Sequence, residues 1–219
     1  MKNPYRWLIY GLGMAVLALG ITLNTKAGLG VSPIISVAYC VSQIFSFNFG
    51  DMTFALYVLF VLVQLVLRDR PERLSTLLQI VVSLIFSRLL NLFDFLIPYE
   101  SGAYSLVVNA VLLAAAIFLT GLGIAMTVNM RLVPNPGDGI VQAIAEQIGR
   151  DQGFTKNVFD IGCVCTTLAV GLCFSRPLLG VGVGTVAAMI GVGRSVALVN
   201  HFFKDKMLAA AGMAVQGKG

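Results

Sequence analysis

Histidine and charge are both scarce in this chain. One residue of 219 is histidine, and only 11% are charged, against about 25% in an ordinary soluble domain. A water-facing surface needs more polar cover than that. His201 stands alone, and Cys40, Cys163, Cys165 and Cys173 lie in apolar stretches with no CxxC or Cys/His spacing. The cysteines therefore read as packing residues, and no metal site is expected. Ser-His-Asp, HExxH and paired catalytic carboxylates are missing, which argues against an enzyme. Gly180, Gly182, Gly184, Gly191 and Gly193 sit in an apolar run and do not fit GxGxxG after a strand; no cofactor is expected from them, and Gly180-xxx-Gly184 reads as close helix packing. The net charge of +5 comes from residues in short loops between apolar runs. That is a membrane-topology pattern, and it excludes nucleic acid as a partner.

Hydrophobic residues, by contrast, make up 58% of the chain. Six apolar runs, about 7–24, 49–67, 74–97, 104–128, 158–174 and 178–203, each suit a membrane crossing of about 20 residues. Lys2 and Arg6 before the first run resemble the start of a signal peptide. No small-x-small cleavage site follows, so the run reads as a retained helix. Two shorter stretches, 33–47 and 136–149, follow the first and fourth runs. Both open on a capping residue and a proline, Ser32-Pro33 and Asn135-Pro136, a helix-start signature. They are short for a span and suit re-entrant or interfacial helices.

The two halves resemble each other. Shifted by 103 residues, Gly20, Ile21, Leu29, Pro33 and Gly50 fall on Gly123, Ile124, Leu132, Pro136 and Gly153; shifted by 106, Arg70-Pro71 and Arg88 fall on Arg176-Pro177 and Arg194. Matching prolines and glycines are harder to reach by chance than matching leucines, and they indicate a tandem repeat. If the short helices do not cross, Lys2, Arg6, Arg68, Arg70, Arg73, Arg131, Arg150, Lys156, Lys204, Lys206 and Lys218 share one side with both termini, leaving Lys26 and Arg176 opposite. The positive-inside rule prefers that arrangement. Three crossings per copy turn the second copy upside down, an architecture of secondary transporters. The expected fold is an all-α membrane protein with six transmembrane helices plus two short re-entrant or interfacial helices. It forms one domain over 1–219, a 3+3 inverted repeat of units 7–97 and 104–203, with both termini cytoplasmic.

Arg88 and Arg194 lie well inside apolar runs, where a charge costs about 2.5–3.5 kcal/mol on the insertion scale and commonly marks a pathway. A purely structural reading has each arginine tying the broken backbone of a short helix. If the short helices point their N-termini inward, Ser32, Pro33, Asn135 and Pro136 would mark anion-attracting ends. Asp138 follows the second helix start, and Asn91 shares a helix face with Arg88. Asp94 and Asp160, near span ends, read as interfacial. Arg88, Arg194, Ser32, Pro33, Asn135, Pro136, Asp138 and Asn91 make the expected substrate site.

The run LGITLNTKAGLGVSP from Leu19 to Pro33, followed by NFGDMT from Asn48 to Thr53, resembles the YczE group of the YczE/YyaS/YitT bacterial membrane proteins. The pattern K-A-x-L-G-x-S-P is its most specific part, and the hydrophobic layout extends over nearly the whole chain. The resemblance implies a multi-pass protein of the bacterial cytoplasmic membrane and supplies no substrate. From the residues, the leading expectation is a transporter of a small, anionic solute with a midplane site. The alternatives are an accessory protein that binds another membrane protein, or a passive channel. Expected partners are the lipid bilayer and a small solute, with a homo-oligomer or membrane partner compatible.

Overall fold

The computed structural model describes residues 4–68, 73–176 and 178–213. Eight α-helices account for its regular structure, apart from a short 3-10 turn at Ser101–Ala103: α1 (Pro4–Lys26), α2 (Pro33–Phe45), α3 (Phe49–Leu67), α4 (Arg73–Leu96), α5 (Leu106–Asn129), α6 (Pro136–Ile148), α7 (Gln152–Cys173) and α8 (Val183–Ala210). Six of them, all but α2 and α6, are long and apolar enough to cross a membrane. The large apolar side chains exposed along them, such as Leu74, Val66, Val107 and Val183, suit a lipid surround rather than water.

Several helix limits differ from those the hydrophobic runs suggest, and each difference has a local cause. α7 begins at Gln152, not near 158, because the Asp151 side chain accepts a bond from the Phe154 amide at 3.1 Å and caps a polar first turn. α8 begins only at Val183, since Leu178 and Gly180 adopt φ of 67° and 79°, which a helix cannot use. It then runs past the apolar limit to Ala210, carrying Lys204 and Lys206 with it. Gly180 is thus a loop residue, and the expected Gly180/Gly184 packing stripe does not form. Gly184 instead lets the α8 backbone approach the loop after α1: its amide donates to the Leu29 carbonyl at 2.7 Å. Of the Arg70-Pro71/Arg176-Pro177 match, Arg70, Pro71 and Pro177 lie outside the described residues.

The bundle is organised by the crossing of α1 and α5. A Cβ at Gly20 would lie 2.6 Å from the Thr120 nitrogen, and one at Gly123 would lie 2.5 Å from the Leu17 nitrogen. Only glycine permits backbones this close. Positions 17 and 120, and 20 and 123, are each 103 apart, so the two contacts exchange under the shift that aligns the halves. One end of the bundle carries the start of α1 and the end of α8, where Tyr10 packs with Met130 and Ala211; at the other, Lys26 pairs with Asp94 at 2.7 Å. We call these the terminal and far ends.

The short helices enter from opposite ends. α2 runs alongside α7 in the same direction, with Ser36 hydroxyl-bonded to Thr167 at 2.7 Å and Phe45 against Phe174 at 5.1 Å, so its C-terminus lies at the far end. α6 runs alongside α3, from Gln64 bonded to the Pro136 carbonyl at 3.4 Å to Arg68 beside Glu146 at 4.0 Å, so its C-terminus lies at the terminal end. Their N-termini meet inside the bundle, where a Cβ at Gly137 would touch Ile34 at 3.6 Å. These two positions, too, are 103 apart.

Replacing Gly20 or Gly123 by Ala should destabilise the protein by about 1–3 kcal/mol through overpacking. Gly162→Ala, where a Cβ meets nothing within 4 Å, should be neutral or slightly stabilising. Thermal unfolding of the three variants in detergent checks the contrast.

Candidate functional site

A cavity of about 280 Å³ opens where the two short helices meet. Both ends of its floor are broken backbone, and each break is held by named side chains. After α1, the Ser32 amide donates to Asn24 Oδ1 at 3.1 Å and the Val31 amide to the Gly180 carbonyl at 3.0 Å. After α5, Arg6 donates from Nε and Nη2 to the Met130 and Arg131 carbonyls, both at 2.7 Å, and the Tyr10 hydroxyl donates to the Val133 carbonyl at 2.7 Å. Arginine does tie broken backbone here, but the residue is Arg6 rather than Arg88 or Arg194.

The cavity lining is drawn from both halves in register. Leu17 and Thr120, Ile21 and Ile124, Ser32 and Asn135, Ile34 and Gly137, Ile35 and Asp138, and Tyr57 and Asp160 all face it, and each pair is 103 apart. Lys156, Asn157 and Gly153 of α7 and Ala188, Met189, Val192 and Gly193 of α8 complete the wall. The short helices present their N-termini differently. Asn135 caps α6, its Oδ1 accepting from the Gly137 amide at 2.9 Å. Ser32 makes no side-chain cap bond, leaving the α2 start open. Tyr57, fully buried in α3, hydrogen-bonds Asn135.

Charge in the cavity comes from three groups. Asp160 is 2% exposed and pairs with Lys156 one turn earlier at 3.1 Å; it is therefore buried, not interfacial as its place near a span end suggests. Asp138, on the first turn of α6, is half-buried and faces the cavity.

Of the residues expected at a site, Ser32, Pro33, Asn135 and Asp138 come together here. Pro136 lies just behind them, in a small cleft with Phe86 and Tyr10. Arg88, Arg194 and Asn91 do not join them. Arg88 is exposed and bonded to Asp51 at 2.7 Å. Asn91 bonds the same carboxylate at 3.2 Å and accepts from the Gly50 amide at 2.9 Å. Arg194 is exposed on α8, outside the cavity lining. Asp94 is taken by Lys26. Sequence reasoning passed over Tyr57 and Lys156. The 103-residue shift applied to Asp160 points to Tyr57, and the i,i+4 spacing from Asp160 points to Lys156.

The closures around the cavity are unequal. α3 and α4 pack along each other, joined by the Asp51–Arg88 pair, the Asn91–Gly50 bond, a reciprocal Gln64–Gln79 amide pair at 3.1 and 3.0 Å, and Tyr57 stacked on Phe86 at 6.1 Å. Their counterparts α7 and α8 do not pack along each other among the described residues. The sequence explains the difference. Asp51, Tyr57 and Gln64 become Phe154, Asp160 and Thr167 under the 103 shift, while Gln79, Phe86 and Asn91 become Thr185, Val192 and Ala197 under the 106 shift. Gly50 and Arg88 keep their counterparts Gly153 and Arg194, but the partners that fasten them, Asn91 and Asp51, are replaced by Ala197 and Phe154.

A family model described as a family of unknown function (DUF6198) matches residues 4–201. The chain is 25% identical over 206 residues to the uncharacterized membrane protein YczE of Bacillus subtilis, covering 90% of this chain and 89% of that one. It is 23% identical over 182 residues to the uncharacterized protein YyaS of the same organism, covering 83% and 85%. No solved structure matches it significantly.

Lys156→Met should destabilise the protein by about 1–3 kcal/mol, because it strands a carboxylate that is almost fully buried. Adding Asp160→Asn should recover most of that loss. Thermal unfolding of the two single variants and the double variant reads the coupling.

Proposed function

The chain belongs to the DUF6198 family of multi-pass membrane proteins, and we propose that it carries a small solute across the bacterial cytoplasmic membrane through the cavity between α2 and α6. One observation carries the reading: six pairs of cavity residues, each pair 103 apart, line one space that is closed by α3 and α4 yet unclosed by α7 and α8. A site shared by two inverted copies, with one copy shut and the other parted, is the arrangement from which alternating access proceeds.

The inverted repeat is supported by the exchange of contacts at the α1–α5 crossing and by the Ile34–Gly137 contact, which maps onto itself. The orientation is supported by charge. Arg6, Arg68, Arg73, Arg131, Arg150, Lys204 and Lys206 all lie toward the terminal end, which the positive-inside rule assigns to the cytoplasm. The gap between α7 and α8 follows Asn157, Lys156 and Gly153 toward that end, so the cavity faces inward.

Opening to the far side requires the start of α3 to leave α4. Asp51–Arg88 and Gly50–Asn91 are the contacts to break, while the buried Gln64–Gln79 pair near the terminal end serves as the pivot. The role of Arg88 is then a latch and not a ligand for solute. An accessory protein needs no such asymmetry around a shared cavity.

In a cysteine-free background, Asp51→Cys and Arg88→Cys joined by a short bifunctional thiol reagent should reduce uptake into proteoliposomes to the level of empty vesicles. A radiolabelled panel of amines, amino acids and carboxylates supplies the solutes, and cleaving the linker should restore transport. Uptake unchanged by the linkage would remove the α3–α4 opening from the mechanism.

A further inference from the structure

The proposal about which solute fits rests on the cavity assigned above and uses its chemistry alone. Under the 103 shift, three of the six lining pairs set an aliphatic or aromatic residue against a polar one. Leu17 answers to Thr120, Ile35 to Asp138, and Tyr57 to Asp160. A uniformly polar ion would leave the aliphatic wall wet, and a uniformly apolar molecule would leave a carboxylate without a partner, which costs more. The lining therefore matches a solute with one apolar and one polar side.

The sign of the polar side follows from which charges are already spent. Lys156 is bonded to both oxygens of Asp160, at 3.1 and 3.3 Å. Asp138 forms no hydrogen bond or ion pair through its carboxylate among the described residues. The helix ends contribute about half a positive charge each. That of α6 is already engaged by Asn135, which accepts the Gly137, Asp138 and Gly139 amides through its side chain and carbonyl. Asp138 stands on the first turn of α6 facing the cavity, so its carboxylate when ionised outweighs what remains at α2. The arginines that would favour an anion lie outside the cavity, with Arg88 held by Asp51.

We propose that the cavity binds a small amphipathic amine, with its ammonium on Asp138 and its aliphatic part against Leu17, Ile21 and Ile35. No covalent step is involved. Asp138 is a seat for charge, and Ile35, its counterpart in the other half, is a seat for hydrocarbon.

The test uses the full-length purified protein and three probes of nearly one shape: 3-methylbutylamine, 3-methylbutanol and 3-methylbutanoate, titrated calorimetrically at neutral pH. The amine should bind, the alcohol about tenfold more weakly or less, and the carboxylate not at all. Asp138→Asn should abolish the preference for amine over alcohol. A purely structural role for Asp138 would weaken both probes alike, which keeps the two roles apart. Preference for the carboxylate, an undiminished amine preference in Asp138→Asn, or binding of none of the three would overturn the assignment. None of those outcomes touches the cross-linking result at Asp51 and Arg88, so the transport reading stands or falls separately.

Discussion

Backbone that leaves the helical path inside a hydrocarbon layer must find hydrogen-bond partners within the protein, because no water is there to supply them. This chain breaks twice, after α1 and after α5, and the rest of the fold is arranged around those two breaks. Arg6 and Tyr10 of α1 hold the break that follows α5. The break after α1 is held from its own helix by Asn24 and from the loop before α8 by Gly180. Once held, each break turns the chain back on itself and aims a short helix outward again. The two N-termini are left facing each other, and the cavity is the space that neither helix fills. The glycine crossing of α1 and α5 sets how close the breaks can come, so a methyl group at Gly20 or Gly123 acts on the cavity as well as on packing.

Under the proposed repeat, the two copies need not be chemically equal to be geometrically paired. The first copy fastens α3 to α4 with amides, an ion pair and stacked rings, all of which the second copy lacks. What the second copy has in exchange is polarity inside the cavity: Thr120, Asn135, Asp138 and Asp160. The first half uses most of these polar residues in closure, and the second places more of them in the cavity. That division accounts for the open seam between α7 and α8. Packing between apolar helices in lipid has little driving force of its own, so a pair without polar or small-residue contacts parts readily.

Much of this was legible before any coordinates. The count of long helices, the two short helices and their starts at Pro33 and Pro136 follow from hydrophobic run length and from a capping residue before proline. Ser32, Asn135 and Asp138 were placed at a site for the same reason. Arg88 and Arg194 stand outside the cavity because burial in sequence is not burial in space. Arg88 sits within an apolar run, yet Asp51, 37 residues earlier, meets it on the exposed side of α3 and α4. The partner is invisible to a reading that treats each span by itself. Lys156 escapes notice, and Asp160 reads as interfacial, for the opposite reason: the start of α7 is polar enough to look like a loop, although Asp151 caps it into the helix.

The Arg88–Asp51 pair also shows why a charge in a membrane helix is a weak guide to a ligand. Removing the charges from water is costly, and their mutual attraction offsets that cost only when geometry is close. Here a bond of 2.7 Å is supplemented by Asn91, which donates to the same carboxylate. A partnered arginine has little left to offer a solute, whereas a carboxylate that accepts no hydrogen bond among the described residues, such as that of Asp138, is open to one. The useful question to put to an intramembrane charge is therefore which groups have already neutralised it. Applied across this fold, that question moves attention from the two conspicuous arginines to one aspartate at the start of a short helix.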